Sequence, residues 1–273
     1  MRPQAQNIAV PPFPPGTEWI GPAPGAVERI CARGPLLVHF VDAAHLSSIR
    51  TLPYLTAWEK RYRDRGLTVV GVNSPRFPFT ADTGKLRAAL ARLGVGFPVA
   101  ADPRYEIWHG YGCEGWPSLF LWGRGGALRW FHFGEGEYAA TERAIHEELR
   151  AADPDLELPE PLLPLRPSDA AGALVAPPSA EVLPGGSESE PWRPSDGGPP
   201  LELDYAAGGA WATVDGRGVL RASLDRGREL AIEVEAPGVY ELAAHERHEA
   251  HHLSLGATRG VQVYSIGFSV GVP

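Results

Sequence analysis

Leu36-Leu37-Val38-His39-Phe40-Val41, a stretch from about His45 to Arg65 closed by Gly66, then Leu67–Val72: the reading of these residues decides the fold. The first run is short, apolar and partly β-branched, which suits a buried strand. In the second, Ile49, Leu52, Leu55, Trp58 and Tyr62 recur at spacings of three and four, the stripe of an amphipathic helix. Gly66 stands where a helix C-terminus favours glycine. Leu67–Val72 then reads as a second strand. Working outward, Leu86–Leu93 reads as a helix closed by Gly94. Pro117–Trp122 and Ala127–Phe133 read as strands joined by the turn Gly123–Gly126. A last helix carries Tyr138, Thr141, Ile145 and Leu149 on one face. This order predicts an α/β domain over residues 1–153, with a mixed sheet and an antiparallel final hairpin.

Beyond it the pattern dissolves. Twelve prolines fall in the 47 residues from Pro154 to Pro200, together with Gly185-Gly186-Ser187-Glu188-Ser189-Glu190. Such a segment buries too little apolar surface to order independently, so residues 154–199 are assigned to a linker that drapes over a domain surface. From residue 200 to 273 helix signals vanish. Gly218–Leu224, Glu229–Glu235, Val239–Ala243, Leu253–Leu255 and Val261–Val270 alternate in polarity between glycine-bearing turns, which predicts a small antiparallel β-sandwich.

Composition narrows the function classes. The chain has 273 residues, 44% of them apolar, with eight tryptophans, enough for a true core despite 32 glycines and 28 prolines. A net charge of −8 offers no general field for nucleic acid or an anionic membrane. Met1–Asn7 lacks the apolar core of a signal peptide, and the longest apolar runs are strand-length, so the expected location is cytoplasmic. Two cysteines, Cys31 and Cys113, make no disulfide framework, zinc cluster or iron–sulfur site, and no cofactor is expected.

Five further stretches carry a resemblance. They are Pro14-Pro15-Gly16-Thr17-Glu18-Trp19-Ile20, Ile49-Arg50-Thr51-Leu52-Pro53-Tyr54-Leu55, Gly66–Val72, Trp116-Pro117 and Phe133-Gly134-Glu135-Gly136-Glu137-Tyr138. With them the first domain resembles the thioredoxin-like thiol–disulfide oxidoreductases of the TlpA and DipZ type. The tail, ending Val261–Phe268, is similar to the β-sandwich that follows thioredoxin in DipZ proteins, a jelly roll like that of carbohydrate-binding modules. The resemblance implies a Cys-x-x-Cys at the start of the first long helix, immediately before Ile49. Here those positions read His45-Leu46-Ser47-Ser48. The chemistry needs one thiolate stabilised at the helix start and a second to resolve the mixed disulfide. A serine hydroxyl is barely ionised at neutral pH and forms no S–S bond, so dithiol turnover is lost at the usual site. DipZ-type membrane spans are likewise not expected, because the longest apolar runs are strand-length.

The resemblance further implies that Pro117 is a cis-proline whose flanking backbone pairs with an extended substrate segment; by itself, Trp116-Pro117 reads equally as a strand start. His45, Ser47, Ser48, Trp116 and Pro117 are the candidate ligand site, for a peptide or protein segment or a small thiol. His45 at a helix start is expected to be held neutral by the helix dipole. Ser47 and Ser48 also suit simple first-turn or capping roles. The leading expectation is binding without turnover.

One alternative is a monothiol oxidoreductase using Cys113, in Tyr111-Gly112-Cys113-Glu114-Gly115-Trp116-Pro117, or Cys113 ligating a metal with His45; a lone cysteine also serves as a small buried hydrophobe. Cys31 reads as packing. Another alternative is a carbohydrate- or protein-binding module acting through the sandwich, where Tyr205, Trp211, Tyr240, Tyr264 and Phe268 read first as core. The tail also carries His245, His248, His251 and His252. His248-Glu249-Ala250-His251-His252 formally satisfies H-E-x-x-H, but it lies between two strand-like runs and reads as a solvated turn, without the helical face that a zinc protease needs. Metal binding there is confined to adventitious capture. Gly123–Gly126 joins strands and Gly134–Glu137 presents carboxylates, so neither cradles a phosphate.

Overall fold

The computed structural model describes residues 1–3, 8–195 and 198–273. Gln4–Asn7 of the N-terminal reading and residues 196–197 of the linker therefore lie outside the described residues. The chain divides into two compact units.

The first unit comprises Met1–Asp42, Ser47–Pro75 and Leu93–Ala171. Its sheet has six strands, β1 (Glu18–Ile20), β2 (Leu36–Val41), β3 (Thr68–Asn73), β4 (Val99–Ala101), β5 (Ser118–Trp122) and β6 (Leu128–Phe133), in the order β1-β4-β3-β2-β5-β6. The β2–β3 and β3–β4 pairs are parallel; the rest are antiparallel. Helices α1 (Val27–Arg33), α2 (Leu46–Tyr62), α4 (Glu106–Tyr111) and α5 (Tyr138–Ala152) flank the sheet. This is the thioredoxin-like fold, a mixed sheet flanked by helices.

Every residue of β2 is buried, as its apolar run requires. Leu36, Val38 and Phe40 join the core cluster that includes Ile30 of α1 and Ile107 and Trp108 of α4. His39 points to the other side, into a cavity walled by Thr51 and Trp58 of α2 and Tyr138 and Thr141 of α5. The elements not foreseen from the sequence, β1, α1, β4 and α4, are three to seven residues long. Elements that short complete too few periods to register in a hydrophobic pattern. Cys31 and Cys113 both lie in the core and remain free thiols.

The second unit comprises Ala43–Leu46, Arg76–Arg92 and Gly172–Pro273. It therefore includes α3 (Thr83–Arg92), whose Lys85 Nζ lies 2.6 Å from Asp215 Oδ2 and whose Arg92 sits over the Tyr240 ring, 4.2 Å from its centroid. Five strands, β7 (Leu201–Gly216), β8 (Gly218–Leu224), β9 (Leu230–Val234), β10 (Gly238–Ala257) and β11 (Val261–Ser269), form one antiparallel sheet in the order β11-β7-β10-β8-β9. The long strands β7 and β10 serve both halves of the sheet. Residues 209–214 of β7 pair with 238–244 of β10 and with β11, whereas 201–207 pair with 249–255 of β10. That second half of β10 also carries β8. At the junction a Cβ on Gly208 would stand 2.3 Å from the Val270 carbonyl, so only glycine fits there. Both halves contribute to a single core with Tyr205, Leu220, Leu253, Val263 and Phe268.

One sequence expectation changes here. Val239–Ala243 and Leu253–Leu255 are parts of one strand, so the histidines between them do not form a turn. They are strand residues at an irregularity. The described parts of the linker, expected to drape over a domain surface, bond within each unit. Residues up to Ala171 belong to the first unit, where Leu165 N–H donates to the Tyr54 hydroxyl (2.8 Å) and Leu162 N–H to Glu142 (2.8 Å). In the second unit Ala176, Val182 and Trp192 bridge to Gly271, Ile266 and Val263, extending the sheet beyond β11. Proline-rich chain cannot pair continuously, so it docks by isolated bridges.

Candidate functional site

The sheet register assembles one end of the first unit. Phe40 pairs with Ser118, so Pro117, just before β5, stands across from the chain that leaves β2 towards α2. The Trp116–Pro117 peptide is cis. Trp116 is fixed on three sides. Its indole Nε1 donates to the Ser74 carbonyl (2.9 Å), its ring packs on Trp108 with centroids 4.6 Å apart, and Tyr105 meets it edge-on. The Pro117 carbonyl accepts from Gly134 N–H (2.8 Å), and Ser118 Oγ donates to the Gly115 carbonyl (2.6 Å). Ser74 is in turn bound through its hydroxyl to Asp102 (2.9 Å), whose carboxylate also accepts from Ile107 and Trp108 N–H at the start of α4. A rigid tryptophan–proline corner results.

Ser48 is fully buried, and its Oγ accepts from Asp42 N–H at 3.3 Å. The hydroxyl thus ties the end of β2 to the first turn of α2, a structural role. Ser47 is half-buried, and its carbonyl accepts from Thr51 Oγ1 (2.9 Å). Ser47, Ser48, Trp116 and Pro117 belong to the first unit, and His45 to the second. Burial pushes the His45 imidazole down to about 4, reinforced by Arg76 and opposed by Glu181 and Glu188. The ring is neutral, as expected, but through burial rather than a helix dipole.

Cys113, the thiol of the monothiol alternative, lies in the buried core. It is 8% exposed, and burial pushes its thiol well above the ordinary cysteine range, against a weaker lowering by its bond to Ser118. Cys31 is likewise pushed up, by burial and then by Glu28. A thiol held protonated is neither nucleophile nor metal ligand.

Residues that sequence reasoning passed over support the corner from behind. Arg50 Nε donates to Glu135 Oε1 at 2.7 Å, and both groups are largely buried. Tyr54 stacks on Tyr138 at 3.7 Å and 8°, and its hydroxyl donates to Asp169 (2.8 Å). The stretches Ile49–Leu55 and Phe133–Tyr138, quoted separately from the sequence, are thus two halves of one network. His39 is the other omission. Both its ring nitrogens are buried without a partner, as is Nε2 of His132, and the two rings line a cavity of about 10 Å³ with Pro117 and Trp58. A lone polar residue in the apolar run Leu36–Val41 was the available signal.

In the second unit, the tail histidines separate. His245 and His251 stack with centroids 4.4 Å apart and gather Glu249. His252 pairs with Asp204 and Glu202, and His248 N–H donates to the Val272 carbonyl. Tyr205, Tyr240, Tyr264 and Phe268 are buried, as a core reading requires, and Trp211 is half-buried.

No protein-family model matches the chain. It is similar to Protein DipZ of Mycobacterium tuberculosis, 26% identical over an alignment of 289 positions that covers 92% of this chain and 41% of that protein. The chain thus spans about two fifths of the length of the DipZ proteins it matches. The thiol–disulfide oxidoreductase YkuV of Bacillus subtilis is 25% identical over 123 residues, 45% of this chain and 82% of that one. Among solved structures, a thiol–disulfide isomerase from Corynebacterium glutamicum matches with a TM-score of 0.46 and 20% identity, over 51% of this chain and 96% of that chain.

Proposed function

The chain belongs to the thioredoxin-like thiol–disulfide oxidoreductase family, and from that premise we propose that it binds an extended peptide segment or a small thiol at the Trp116–Pro117 corner without dithiol–disulfide turnover. One observation carries the reading. The four positions where the family's dithiol is expected hold His45-Leu46-Ser47-Ser48, and the buried Ser48 hydroxyl accepts from Asp42 N–H. Both cysteines of the chain are core residues whose thiols burial keeps protonated. What remains is a rigid corner beside a strand start, suited to docking an extended chain by backbone pairing and side-chain packing.

Reduction of insulin disulfides by dithiothreitol tests the absence of turnover. The wild-type chain is expected to give the uncatalysed rate, and Cys113→Ser to leave it unchanged. Catalysis by the wild type that Cys113→Ser abolishes would overturn the reading. Binding is tested separately with an immobilised library of extended peptides. Capture is expected to weaken about tenfold in Trp116→Ala, the scale of one well-packed aromatic anchor.

A further inference from the structure

We propose that His245, Glu249 and His251 form a binding site for a zinc-class divalent cation on the second unit. The site is built by an irregularity in β10. Between Ala244, opposite Gly209, and Glu249, opposite Ala207, β10 advances five residues while β7 advances two. The three extra residues bulge out of the ladder and re-aim the side chains around them. His245 and His251, six apart in sequence, consequently stack with an interplanar angle of 27°. One ligand atom from each of the two imidazoles and from the Glu249 carboxylate lies within 4.8 Å of the others. Bonds of about 2.1 Å to a tetrahedral zinc place ligand atoms about 3.4 Å apart, so the group needs only a small contraction.

Each histidine is also oriented by a second partner. His251 Nδ1 lies 2.7 Å from Asp225 Oδ2, which leaves Nε2 to face Glu249 at 3.2 Å. Asp225 is itself held, because its other oxygen accepts from His252 N–H (2.9 Å). His245 Nε2 lies 2.8 Å from the hydroxyl of Tyr205, a buried ring stacked on Phe268 at 4.9 Å. When Nε2–H donates to that hydroxyl, Nδ1 carries the lone pair for a metal. A histidine ligand fixed through its other nitrogen by a carboxylate or hydroxyl is the arrangement that sets ligand geometry in metal sites. Two histidines and one carboxylate leave a fourth position open for water or an exchangeable ligand. Of the neighbouring histidines, His252 is committed to Asp204 and Glu202, and His248 is not among the gathered ligand atoms. A specific trio within the histidine-rich run is therefore distinct from diffuse capture by the whole run.

Calorimetric titration of the full chain with zinc chloride, repeated with cobalt chloride under visible spectroscopy, tests this. One zinc per chain is expected, with the visible bands of tetrahedral cobalt. His245→Ala, Glu249→Gln and His251→Ala should each weaken binding at least about tenfold, and Tyr205→Phe by about tenfold, the scale of a lost orienting partner. His252→Ala should bind as the wild type does. Circular dichroism identifies any variant that fails to fold, and Glu249→Gln, at an exposed position, keeps the test independent of the core. Absence of heat, several zinc ions per chain, or equal loss in His252→Ala would overturn the proposal.

Discussion

At the scale of single residues, the most consequential feature is a histidine with nothing to bind. His39 is fully buried, neither ring nitrogen has a partner, and burial pushes its pKa from 6.5 down to about 3. The unfolded chain takes up a proton near 6.5 and the folded chain does not, so acid favours unfolding. Stability is fully present above about 6.5 and is lost progressively as the pH falls towards 3, by about 1.4 kcal/mol per pH unit for such a group. Thermal unfolding monitored between pH 7 and 4.5 should show this fall, and His39→Leu should flatten it. An unchanged slope in the variant would assign the acid sensitivity to other groups, among them His45. The two thiols supply a second residue-scale expectation. Burial raises both, so an aromatic disulfide reagent at pH 8 should leave Cys31 and Cys113 unmodified in the native chain and titrate two thiols in guanidinium. Rapid native modification of Cys113 would contradict its placement in the core.

At the scale of elements, a segment without hydrogen-bonding periodicity of its own is ordered by anchors. Residues 154–171 lie on the first unit through Tyr54, which accepts from Leu165 N–H and donates to Asp169, and through Arg166, which bonds Asp169 and the Arg50 carbonyl. Removing one partner of a buried hydrogen bond costs about 1–3 kcal/mol. Tyr54→Phe is therefore expected to lower stability by about that amount and to expose residues 154–171 to limited proteolysis, read by mass spectrometry of the fragments. The Arg50–Glu135 pair should matter more. Breaking a buried ion pair leaves an uncompensated charge and costs about 3–5 kcal/mol, so Glu135→Ala should lower the urea midpoint more than Tyr54→Phe does. None of these anchors was legible as an anchor in the sequence. Arg50, Tyr54, Glu135 and Tyr138 stood in stretches quoted for their resemblance, but the ion pair spans 85 residues and only the folded sheet brings its partners together.

At the scale of the whole molecule, the net charge of −8 predicts passage through a heparin column at pH 7 and 50 mM salt, and retention there would reveal a basic face that the total conceals. The strand–helix–strand reading of residues 36–72 needed only local information. A buried strand and an amphipathic helix impose their own periods on the chain, and β2, α2 and β3 lie where those periods fall. The absence of a dithiol from positions 45–48 was equally a property of the sequence, because no folding can supply a missing sulfur. Tertiary structure alone decided the rest. Whether a hydroxyl or thiol is reactive depends on its surroundings, so the commitment of Ser48 to Asp42 and the burial of Cys113 were invisible until the sheet was assembled. The tail histidines show the same dependence. Their place between two strand-like runs suggested a turn, but pairing with β7 made them strand residues, and the mismatch of five residues against two gathered His245 and His251 beside Glu249. Periodicity is local and can be read along a chain; register and burial depend on residues distant in sequence, and only the folded chain fixes them.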